Sequence, residues 1–386
     1  MQRSDTPDWL NPLIAVLQQA QAGLLRALHG LGLVQTVDDQ PAWPWALRLS
    51  GDNLLIDLGQ ARGLLWSLAA LAAATVLLVL VPWLRRLRWP ALGMALLLLM
   101  LAPWPRADLI LVPARPTSLH ASPTGFSVES IAHGAQVYGR QCLACHGADG
   151  RGQGPLAARQ SVWPPNFTSP LLWRRADGDL LWAIRHDPRP VQTATGPQAH
   201  GQAGRLSTED AWALIDFLKA QAAGQMLQIA GAWPYPVGLP DMDVRCAGQP
   251  VRRLHAWQGR QQRLRLVAGA GEVQEDPRLV SLQLQPGGQA GGAALDCLVT
   301  DPRAWQAMAL LSGSAGLQGM QWIGDRRGWL RALSRPGARG WSEDDLVCRT
   351  DTASQAPAGP AADGLGALIA RMDAEPVRFV KGGFVH

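Results

Sequence analysis

Cys142-Leu143-Ala144-Cys145-His146 is the stretch around which the chain is organised. Two thiols three residues apart share one face of a helical turn, and the next residue points its imidazole toward the same plane. This is the pattern in which both thiols add across the vinyl groups of a haem and the histidine binds the iron from the proximal side. Apolar and small residues at helical spacing precede it, from Ile131 to Tyr138, and a glycine-rich loop follows, from Gly147 to Pro155. A zinc site wants two more good ligands at short spacing, and none follow. A thioredoxin-type redox pair sits between a strand and a helix, whereas this pair follows a helix.

Gly134 to Pro155 resembles the start of a class I cytochrome c, and Leu206 to Leu218 resembles its last helix. The resemblance implies an all-α cytochrome domain over residues 129–224 with one covalently attached haem c. It implies that Gly134 packs on an aromatic of the last helix, Phe217 or Trp212. It also implies that the Pro155 carbonyl accepts the free N–H of His146, a bond of the kind that fixes a ligand's tautomer and orientation. The family supplies a methionine as second iron ligand shortly before the last helix. Here Ala199 and His200 stand at that point, no methionine lies between Cys142 and Gly224, and Met226 is expected beyond the helix. The expected metal ligands are therefore His146 and His200. His186, His133 and an open, five-coordinate iron remain as alternatives. No acid–base or nucleophile constellation is evident, so no catalytic residue is expected.

The 386 residues, 47% hydrophobic, suffice for two or three domains. The net charge is +5, but Lys219 and Lys381 are the only lysines and the arginines are scattered, with one run from Arg85 to Arg88. Nucleic acid is excluded as a partner on that basis. Gly63 to Leu84 is uncharged and long enough for the hydrocarbon core of a bilayer; Trp89 to Trp104 is uncharged but shorter. Trp83, Trp89 and Trp104 stand where indoles favour a membrane interface, and Arg85, Arg86 and Arg88 place the intervening loop in the cytoplasm. Haem attachment takes place outside the cytoplasm, so the chain must cross again. A transmembrane hairpin over 61–106 results, in a bacterial inner membrane, with both ends periplasmic. Residues 1–60 form an N-terminal amphipathic and connecting region without a signal peptide of usual form. Residues 107–128 are expected to be a tether.

Residues 233–386 change pattern. Gln262–Val267 and Arg278–Leu284 alternate like strands, Asp301–Leu311 has a helix start, and Met320–Ile323 with Trp329–Leu333 flank a turn. Ser342–Cys348 and Leu365–Met372 suggest short helices around a flexible insertion, and the whole suggests a small α/β layer. From about residue 41 onward the chain resembles copper-resistance D-type membrane proteins fused to cytochrome c. The matching stretches are Pro44–Ser50, Ser169–His186, Ile215–Lys219 and Gly328–Pro336. The resemblance implies a thioredoxin-like C-terminal domain. It is a degenerate one, because Ala268–Asp276 holds no cysteine and no proline precedes Met320. Two membrane helices are fewer than that family's, so copper transport is not expected. Cys246, Cys297 and Cys348 can form one bridge in any of three pairings. The function expected is a membrane-anchored monohaem electron carrier, not itself an enzyme, serving a redox partner protein or membrane complex. A haem-based ligand-binding or sensing module is the alternative if the distal side is open, and a structural haem subunit of a copper-linked or respiratory complex is a third.

Overall fold

The computed structural model describes residues 9–51, 58–83, 87–169, 171–193, 196–199, 206–233, 235–258, 262–269, 275–288, 295–338, 340–348 and 363–377. They fall into two units. One comprises the described residues up to Gln35 with Pro41–Pro116, the other Thr36–Gln40 with the described residues from Thr117 onward.

In the first unit, α1 (Leu10–Gly30) packs Leu10 and Ile14 against Ala61 and Leu64 of α2 (Leu58–Leu80). Gln21 of α1 gives and takes a hydrogen bond at Leu49, at 3.0 and 2.8 Å, on strand β1 (Leu47–Leu49). The helix α3 (Arg88–Leu101) runs back along α2: Trp66 and Ala70 share a groove with Leu97, Leu98 and Leu101. By length and composition α2 can cross a membrane, while α3 is apolar but shorter. Trp66 is 67% exposed and Met100 74%. Strand β2 (Leu111–Pro113) pairs antiparallel with β1, so part of the stretch expected to be a tether has its backbone bonded in this unit. The rest, from Thr117, belongs to the second unit, where Thr117, Ser118 and His120 are buried.

The second unit opens with α4 (Val128–Gln141). Ser127 caps it, its Oγ accepting from Ser130 N at 3.1 Å. One helical turn (Leu143–His146), α5 (Asp177–Arg185) and a hairpin of β3 (Pro190–Thr193) and β4 (Gly196–Ala199) follow. The helix α6 (Thr208–Ala230) begins at a Ser207 cap and ends at Gly231, whose φ of 68° closes it. It extends past Gly224 because Leu227 stays buried against the next layer, so Met226 lies within the helix, not beyond it. The hairpin is a small departure from an all-α domain.

That next layer is an eight-stranded sheet: β5 (Val237–Gly238), β6 (Asp243–Cys246), β7 (Arg252–Arg253), β8 (Leu264–Ala268), β9 (Val280–Leu284), β10 (Cys297–Val299), β11 (Gln321–Gly324) and β12 (Trp329–Ser334). The order is β5-β12-β11-β8-β9-β10-β6-β7. Strand β8 is parallel to β9 and antiparallel to β11, and all five of its residues are buried, as a strand covered on both faces requires. Between β10 and β11, α7 (Ala304–Ser312) packs on α6, and Trp322 belongs to this core. The alternate residues Ile323 and Ala332 join the separate core beneath α8 (Gly364–Ala374). The sheet is larger than expected because β5, β6, β7 and β10 are too short to show a period. Only a single 3₁₀ turn, Glu343–Asp345, forms where a helix was expected over Ser342–Cys348. Residues 351–362 of the expected insertion lie outside the described residues.

Cys246 and Cys297 stand opposite each other on β6 and β10 and form a disulfide; Cys348 is free and buried. Which of three pairings forms is thus decided by strand register.

Candidate haem centre

Where α4 ends, Cys142 sends its N–H to Tyr138 O at 2.9 Å and starts the turn that carries Cys145 and His146. The glycine-rich loop is stitched back onto this turn. Gly152 N reaches His146 O at 2.9 Å, Gly154 N reaches Cys145 O at 3.0 Å, and Leu156 N reaches Ala144 O at 2.9 Å. The turn's orphan carbonyls are thereby satisfied. Pro155 is held beside the motif between two of these anchors. His146 is buried and stacks on Phe167, with ring centroids 4.4 Å apart. Tyr138 donates to Gly147 O at 2.6 Å and lies 5.0 Å from the Phe217 ring.

The crossing of α4 and α6 explains Gly134. A Cβ there would lie 2.0 Å from Ala213 O and 2.8 Å from Phe217 Cβ, so only glycine allows the approach. Phe217 is the aromatic at this contact, while Trp212 is fully buried in the wider core.

Cys142 and Cys145 are both free and partly buried. Burial, with Cys145 beside it, pushes the Cys142 thiol up to about 12; burial also raises Cys145. Among the described residues no cluster of His, Cys, Asp and Glu could hold a metal ion. Two free thiols on one turn beside a buried imidazole are a donor set that fits a haem bonded through carbon and ligated through nitrogen.

The other histidines separate. His133 Nε2 lies 2.6 Å from Asp210 Oδ1, tying α4 to α6. His186 Nε2 lies 2.7 Å from Asp38 Oδ2 and stacks on Trp182 at 4.4 Å. Both are engaged by carboxylates. Strand β4 ends at Ala199, and His200 lies outside the described residues.

Three features escaped the sequence. Asp38, in a stretch expected only to connect, also accepts from Arg185 Nε at 2.8 Å. Its φ of 46° and the 66° of Asp39 mark a turn that the Asp-Asp pair could have signalled. Asp216 is buried on α6, accepting from Thr124 Oγ1 and from Ser130 Oγ at 2.7 Å, and burial raises its carboxyl. Lys219, one turn on, pairs with Asp177 and sits 5.8 Å over the Trp173 ring. The third is Gln160, whose side chain links the loop to β3.

Residues 131–222 match the family model for cytochrome c. No curated protein matches the chain. Among solved structures, a chain of the reducing HAO-like protein complex of Kuenenia stuttgartiensis is similar at 21% identity, over 32% of this chain and 58% of that one, with a TM-score of 0.20. This chain therefore spans less than two thirds of that relative, and at such a score the likeness carries no argument. The family match covers both the Cys142–His146 turn and the α4–α6 crossing, and with that geometry it makes residues 131–222 a cytochrome c domain within a longer chain.

Proposed function

We propose that the chain is a membrane-anchored monohaem cytochrome that carries single electrons to or from a partner. The observation that carries this reading is the turn holding Cys142, Cys145 and His146 at the end of α4, with α4 crossed on α6 at Gly134. When bound, the haem supplies reversible one-electron exchange at its iron. The chain's own residues hold and shield it. Cys142 and Cys145 would hold it through their sulfurs, His146 and His200 would supply nitrogen ligands to its iron, and the buried His146 ring would donate to the Pro155 carbonyl. The outward apolar faces of α2 and α3 support a membrane hairpin, and the arginines between them support periplasmic ends. The central strand order β9-β8-β11-β12, with α7 and α8 on opposite faces, supports a thioredoxin-like reading of residues 233–386.

A denaturing gel of membranes stained for haem peroxidase activity tests the reading. A stained band near the full-length mass of 41.5 kDa is expected. A colourless band from cells that attach haem to another cytochrome contradicts it.

A further inference from the structure

Gln160 ends the short turn Ala157–Arg159, its own N–H reaching Ala157 O at 3.1 Å. That turn is seated on the haem motif by the Leu156–Ala144 hydrogen bond. From there the side-chain amide grips β3. Oε1 accepts from Gln192 N at 2.8 Å, and Nε2 donates to Gln192 O at 2.8 Å. Nε2 also donates to Leu156 O at 3.1 Å and lies 3.5 Å from Cys145 Sγ.

The strand register explains why this grip is available. Gln192 pairs with Pro197, and at a non-hydrogen-bonded pair of an antiparallel ladder both main-chain groups face outward. Gln192 turns both its main-chain groups out of the hairpin, and an edge position of that kind needs another partner. A primary amide supplies a donor and an acceptor side by side, matching a residue's N–H and C=O; neither a carboxylate nor an aliphatic side chain can do both. One side chain therefore joins three things: the hairpin, the loop, and the turn that bears Cys145.

We infer that Gln160 is a positioning residue for the haem centre: by holding the β3–β4 hairpin to the turn that bears Cys145, it sets how closed the protein is around the group attached there. The inference rests on covalent haem attachment at Cys142 and Cys145, and it does not depend on which residue is the second ligand. Loss of Gln160 would free the hairpin, and a haem attached at Cys145 would then be more open to water, which would favour its ferric form.

The test uses the full chain with its haem, in detergent, as wild type, Gln160→Leu and Gln160→Glu. Gln160→Leu is expected to keep its haem, lower its reduction potential, and bind carbon monoxide about tenfold faster when reduced, the scale of losing the two hydrogen bonds that hold Gln192. Gln160→Glu sets a carboxylate oxygen against the carbonyls of Gln192 and Leu156, so it should release the hairpin too and move both readouts in the same direction. Gly224→Ala, at the α6–α7 contact away from the turn, serves as a control for general loosening. Unchanged potential and carbon monoxide kinetics in an attached-haem Gln160→Leu overturn this inference alone. So does an equal shift in Gly224→Ala. A wild type without covalent haem overturns both this inference and the function on which it rests.

Discussion

Asp216 shows how a charged residue is tolerated inside a cytochrome helix. Two hydroxyls donate to it, Lys219 lies one turn on, and burial still leaves its carboxyl raised. A carboxyl raised in the folded state binds more protons there than in the unfolded chain. Stability should therefore fall as pH rises from the ordinary aspartate range through the raised value. Asp216→Asn, which can still accept both hydroxyls, should remove this slope in urea melts taken at a series of pH values. Asp216→Ala strands two buried donors and should cost about 1–3 kcal/mol. A slope that survives in Asp216→Asn would show that another group causes it. At the iron, His200→Ala should turn a low-spin ferric spectrum high-spin with the haem still attached. His186→Ala should leave the spectrum alone, because His186 is engaged with Asp38. The reverse result would exchange the two assignments.

At the scale of elements, two close approaches hold the cytochrome together and join it to the sheet. Gly134→Val would drive side-chain atoms into Ala213 O and should destabilise the α4–α6 crossing by about 1–3 kcal/mol or more, read as a lower melting temperature and lower haem yield. Gly224 meets α7 in the same way, since a Cβ there would lie 1.9 Å from Leu310 O. Removing the Cys246–Cys297 bridge, which closes a separation of 51 residues, should cost about 2–4 kcal/mol in the sheet while leaving the haem spectrum unchanged. A spectrum that followed the bridge would show the sheet and haem centre to be coupled. The Cys142–His146 turn and the long helices were legible in the sequence, because each depends on spacing within a few residues, whereas the Gly134 contact with Ala213 and Phe217 joins distant positions and was expected only from the resemblance to cytochrome c. The Cys246–Cys297 pairing was not, because it follows from the register of β6 on β10 across distant segments. Short strands such as β5 and β7 carry no period to detect, and Gln160 could not be singled out because its role depends on a hairpin elsewhere in the chain.

At the scale of the whole molecule, the cytochrome c domain and the eight-stranded sheet belong to one unit, and the apolar helices α2 and α3 belong to the other. The sheet is built onto the cytochrome: Glu129 at the start of α4 lies 3.0 Å from Arg303 and 3.3 Å from Arg253. These ion pairs are exposed and contribute little to stability singly; the α6–α7 contact is the stronger tie. Protease added to spheroplasts should cleave the cytochrome and sheet regions, whereas cleavage only after lysis would refute periplasmic placement. The most direct measurement is the haem content of the purified, denatured chain, from its intact mass and its pyridine haemochrome spectrum. The account predicts one haem per chain that survives denaturation and solvent extraction, and none in the Cys142→Ala, Cys145→Ala double variant. An unmodified mass for the wild type, from cells that load another c-type cytochrome, would contradict it.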